Sequence, residues 1–82
     1  MNHIAIAFDP EKILPAAGTQ AHMLLLAFGR GERLTVLTAI QNYGVYALSQ
    51  RCGELKRLGW PISSRTIHAN GKSFSEYWME LQ

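Results

Sequence analysis

The pair Asn70-Gly71, set between two runs of alternating residues, constrains this chain more than any other feature. Both central positions of a type I′ turn need positive φ, which Asn and Gly accept more readily than other residues, so the pair predicts a two-residue β-hairpin loop. That loop sets Ala69 opposite Lys72, Ile67 opposite Phe74, Arg65 opposite Glu76 and Ile62 opposite Met79. One face then carries Ile62, Ser64, Tyr77, Met79 and Leu81, a core face. The other carries Arg65, Ile67, Phe74, Glu76 and Trp78. A longer loop beginning at His68 is the alternative, and a slip of one residue would exchange the faces.

Three helices are expected upstream. Thr19 is a good N-cap for Gln20 to Phe28, which Gly29 and Gly31 end. Met23 to Phe28 is apolar all round, which places this helix centrally. Thr35 caps a second helix running to about Tyr43, with Val36, Ala39, Ile40 and Tyr43 at i, i+3, i+4 and i+7 as its buried stripe. Gly44 ends it, and a third helix is expected to start at once and stop at Gly59-Trp60-Pro61. Leu48, Cys52, Leu55 and then either Leu58 or Gly59 face inward on it, while Tyr46, Ala47, Gln50, Gly53, Glu54 and Arg57 face out. Trp60 is expected to pack where this helix meets the hairpin. Residues 1–18 read as an N-terminal strand or arm, with Ile4, Ile6 and Phe8 along one edge, and residues 19–82 as the domain. The fold class expected is α+β, mainly α: three helices, a C-terminal hairpin wing and an N-terminal strand or arm.

A chain of 82 residues that is 48% hydrophobic can close one dense core. No apolar run reaches the ~18–20 residues of a membrane span, and Ile4 to Phe8 is too short for a signal peptide, so a cytoplasmic location is expected. The net charge of +2 says little, but its distribution says more. Three acids and three bases cancel up to Val45. Between Tyr46 and Lys72 five bases (Arg51, Lys56, Arg57, Arg65, Lys72) face Glu54 alone, a local footprint for phosphate. His3, His22 and His68 are scattered, the single Cys52 anchors no zinc site, and Asp9 and Glu11 lack a partner carboxylate. An enzyme, a metal site, a cofactor and a small-molecule ligand are therefore not expected.

Two short helices joined at Gly44, a basic second helix and then a hairpin form the order of a helix-turn-helix with a wing. The residues Leu34-Thr35, Ala39, Tyr43-Gly44-Val45, Leu48, Arg51-Cys52-Gly53-Glu54-Leu55-Lys56, Gly59-Trp60-Pro61-Ile62, Asn70-Gly71-Lys72 and Tyr77-Trp78-Met79 carry a resemblance. Together they resemble a family of short phage and prophage winged helix-turn-helix domains over about residues 19–81. The sequence departs from that pattern at Cys52, where the family prefers Ile, and at Gly53, mid-helix. The resemblance implies double-stranded DNA as partner, in phage gene regulation or excision.

A helix fits the roughly 12 Å major groove and its outward side chains meet base edges. The residues expected to contact DNA are Tyr46, Ala47, Ser49, Gln50, Arg51, Gly53, Lys56 and Arg57 on the third helix, and Arg65, His68, Asn70 and Lys72 on the wing. Arg51 has Glu54 at i+3 and Arg65 has Glu76 across the hairpin, so ion pairing competes with DNA at both. Gly53 costs about 1 kcal/mol against Ala in a helix, a cost that close approach of DNA or a partner explains. Cys52 reads as a small core residue. Residues 3–8 are expected to join two copies as a homodimer, to add a strand to the domain's own wing, or to take no fixed structure. A competing reading of the whole chain is a winged module that contacts a host protein.

Overall fold

The computed structural model describes residues 12–80; the expected strand or arm at residues 3–8 and Leu81 lie outside them. Its elements are α1 (Gln20–Gly29), β1 (Leu34–Thr35), α2 (Val36–Tyr43), α3 (Leu48–Arg57), β2 (Ile62–Ala69) and β3 (Lys72–Met79). β3 lies between the other two strands in an antiparallel sheet. The expected α+β class and winged helix-turn-helix architecture are thus what the chain adopts. Among the described residues no helix is long and apolar enough to cross a membrane.

α1 supplies the floor of the core. Thr19 Oγ1 accepts from the His22 amide and starts the helix. Ala21, Leu24, Leu25, Ala27 and Phe28 are buried, joined by Leu34, Ala39, Val45, Leu48, Cys52, Leu55, Trp60, Ile62 and Met79. The expectation that α1 is buried all round is corrected at Leu26, which is 51% exposed. Leu26 lies on the side of the helix that the described residues leave open, so apolar character there does not translate into burial.

β1 escapes a reading of local pattern. Its two residues pair with β3, Leu34 opposite Tyr77 and Thr35 opposite Glu76. Leu34 is pressed into the core, and Thr35 at once caps α2. The cap is reciprocal: Thr35 Oγ1 accepts from the Thr38 amide at 3.2 Å, and Thr38 Oγ1 accepts from the Thr35 amide at 2.9 Å. This strand-to-cap junction leaves Val36 outside the sheet and 42% exposed. Among the residues of α2, Ala39 alone is buried. Val36 therefore does not belong to the expected buried stripe.

Gly44 ends α2 in the left-handed region at φ 68°, with back-bonds from the Gly44 amide to Ile40 O and from the Val45 amide to Ala39 O. Val45 then drops fully into the core. That anchor keeps the chain out of helix for two more residues, so α3 begins at Leu48 rather than directly after Gly44. Tyr46 lies at a bend and Ala47 is the N-cap, so neither is within the helix.

The hairpin has the register expected from Asn70-Gly71, whose φ values are 54° and 75°. Trp60 is buried, and its indole Nε1 donates to Ile13 O at 2.8 Å. The Ile13 amide in turn donates to Leu58 O at 2.9 Å, so the chain before α1 is pinned where α3 meets the wing.

Candidate nucleic-acid interface

α3 carries its inward residues Leu48, Cys52 and Leu55 in the core. Burial pushes the Cys52 thiol up to about 12, so it stays protonated and acts as a small apolar side chain. Opposite them, Gln50, Gly53 and Arg57 fall at i, i+3 and i+7 along the outer line of the helix. A shallow depression of about 390 Å³ lies there, lined by Ser49, Gln50, Arg51, Gly53, Glu54 and Arg57. Five of the residues expected to contact DNA thus share one concavity.

Gly53 opens this concavity. A Cβ at Gly53 would meet only Arg57 Nη1 at 3.6 Å, an ordinary contact with a movable side chain. Among the described residues no packing contact requires glycine there, although it weakens the helix by about 1 kcal/mol.

The N-terminus of α3 adds a second feature. Ala47 offers no side-chain acceptor, so the first amides of α3 have no side-chain cap. Tyr46 stands beside them, 74% exposed. Uncapped amides at a helix start carry partial positive charge and suit an anion.

The arginines and lysines divide into two sets. Arg51 Nη1 meets Glu54 Oε2 at 3.0 Å and Arg65 Nε meets Glu76 Oε1 at 3.1 Å. Arg33, absent from the sequence-based set, reaches the same Glu76 oxygen at 3.6 Å and stacks 4.4 Å from the Trp78 ring centroid. Arg30 is held by Glu32 at 3.0 Å and by the Tyr43 hydroxyl at 3.0 Å. Tyr43 donates to the Glu32 carboxylate, which lowers the carboxyl pKa and raises that of the phenol. Lys56, Arg57 and Lys72 make no ion pair with any described residue. Lys56 and Arg57 sit in the last turn of α3, where they also complement the helix dipole.

On the wing, His68 Nδ1 lies 2.8 Å from Ser73 Oγ, and Asn70 forms the turn with Lys72 directly after it. The wing residues are spread along the hairpin and do not join the α3 depression. Glu54 lines the depression but was not among the residues expected to contact DNA; an acidic residue gives no signal in a search for phosphate partners. Among the described residues no group of three or more His, Cys, Asp or Glu side chains could hold a metal ion.

A family model described as a winged helix-turn-helix domain matches residues 19–79. No curated protein and no solved structure matches the chain.

Proposed function

The chain belongs to the winged helix-turn-helix domain family, and from that premise we propose that it binds duplex DNA sequence-specifically, without a catalytic step of its own. Its setting is phage or prophage gene control, as a transcriptional regulator or an excision accessory factor. α3 enters the major groove with Ser49, Gln50 and Gly53 toward base edges, Tyr46 and Ala47 stand at its entry, and Lys56, Arg57 and Lys72 hold phosphates. Arg65, His68 and Asn70 place the wing along the backbone. The observation that carries this reading is the depression over Gly53, an open notch on the outer line of α3 that the fold itself does not require.

Retention of the full chain on duplex DNA at rising salt tests it, because phosphate contacts release counterions and must weaken steeply. Binding that ignores salt would favour the other reading, a module that occupies a host protein. That reading draws on Phe74, 40% exposed on the outer face of the wing. Within the DNA reading, Gln50→Ala is expected to lower discrimination between cognate and altered sites by about 1–3 kcal/mol, since glutamine can pair with adenine through two bonds. A specificity ratio unchanged in the variant would remove Gln50 from base reading.

Residues 1–18 serve in this proposal as an arm on the domain at 19–82, and residues 3–8 join two copies. Two-fold pairing would double the base pairs that so small a domain covers. Sedimentation of the full chain is expected to show a dimer that Ile6→Asp converts to a monomer; a full chain that is monomeric at the same concentration rules the homodimer out.

A further inference from the structure

We infer that Glu54 and Arg51 act together as a base-reading pair selective for one C·G base pair in one orientation, a step that rests on the DNA-binding reading above. Glu54 is the only acid between Tyr46 and Lys72, and it stands at the interface rather than away from it. A carboxylate there repels phosphate, so phosphate binding gives no reason for its presence. Its contact with Arg51 at 3.0 Å, one helical turn earlier, fixes the two side chains in one arrangement at the rim of the Gly53 notch. Both are partly open, with 30% of the Arg51 side chain and 36% of the Glu54 side chain exposed.

The chemistry of the pair selects its target. An ionised carboxylate only accepts hydrogen bonds, and a guanidinium only donates them. In the major groove, thymine O4 and guanine O6 and N7 are acceptors and repel a carboxylate. Adenine offers its amino donor beside the N7 acceptor, an arrangement suited to an amide such as Gln50 and not to a carboxylate. Cytosine offers only its N4 amino donor, and its partner guanine offers O6 and N7 acceptors next to it. Glu54 against cytosine N4 and Arg51 against guanine O6 form the complement of that edge. Because the two side chains are already held together, inverting the base pair sets acceptor against acceptor and donor against donor. Gly53, without a Cβ, leaves the room for the base edge to approach.

The test is selection of bound sites from a randomised duplex library by the full-length chain and by Glu54→Gln and Arg51→Lys. Both side chains are half-buried, and thermal melts check that the variants are folded. The wild type is expected to enrich a C·G pair at one position and to lose roughly 5- to 150-fold in affinity when that pair alone is inverted. Glu54→Gln, which turns an acceptor into a donor–acceptor amide, and Arg51→Lys, which removes the planar fork, are each expected to lose that preference. Preferences elsewhere in the site should persist. Selection by the wild type with the same base preferences in Glu54→Gln overturns the pair's role while leaving DNA binding intact. A uniform rise in affinity for all sequences in Glu54→Gln does so as well, since it marks a carboxylate that only repels phosphate. Failure of the wild type to retain any duplex overturns the DNA-binding reading itself, and this inference with it.

Discussion

Phe28→Ala is expected to cost about 3–5 kcal/mol and to lower the melting temperature by about 12 °C or more. Phe28 has no exposed surface and is the largest of the fully buried side chains. It lies in α1, which packs against both α3 and β3, so a cavity there loosens the support of the helix and of the wing together. An 82-residue chain has little stability to spare, because small domains bury a lower fraction of their surface. Leu26→Ala is the matched control. It removes an apolar side chain from the same run, two residues away, but one that is 51% exposed. Its expected cost is within about 0.5 kcal/mol, helped by the good helix propensity of alanine. Urea unfolding of both variants decides the matter. Equal costs would mean that α1 does not present Phe28 inward and Leu26 outward.

The contrast between Phe28 and Leu26 also marks where the sequence stops being legible. Both belong to an apolar stretch, and nothing local distinguishes them; only the position of α3 and β3 against one side of α1 does. Features set by local chemistry could be read directly. The hairpin register follows from Asn70-Gly71, which tolerates positive φ at both turn positions, and the Arg65–Glu76 pair follows from the register. The caps at Thr19 and Thr35 were legible for the same reason. β1 was not. Two residues, Leu34 and Thr35, carry no periodicity, and they form a strand only because β3 passes beside them. The start of α3 was misplaced because Val45, a single residue in a turn, holds the chain down in the core.

The candidate site was legible to the same depth. The outer line of α3 follows from helical spacing alone, so Gln50, Gly53 and Arg57 could be grouped without a structure. Arg33 over Trp78 could not, since the residues are far apart in sequence and meet only across the sheet. Which cations remain open to a ligand also depended on such contacts. Arg33 and Arg65 converge on the one carboxylate of Glu76, which offsets part of their charge within the sheet.

Replacing Lys56, Arg57 and Lys72 together by Ala is therefore expected to have the largest effect on DNA binding of any surface change. These three make no ion pair with a described residue, so their charge is fully available to phosphate. They bracket the proposed reading surface, two at the end of α3 and one just past the wing turn. Each phosphate neutralised contributes about 0.9 to the slope of log affinity against log salt, so losing three should make that slope shallower by about 2.7. At about 0.1 M salt the same relation corresponds to a loss of several hundredfold, roughly alike for cognate and unrelated sequences. Folding should survive, because all three side chains are exposed and only the modest dipole contribution at the end of α3 is given up. Arg33→Ala is the comparison: its guanidinium is engaged by Glu76 and Trp78, so its loss should alter the salt slope little. A triple variant that keeps the wild-type slope would place the phosphate contacts on another face of the domain, whatever its affinity. A loss confined to the cognate sequence would assign these side chains to bases instead.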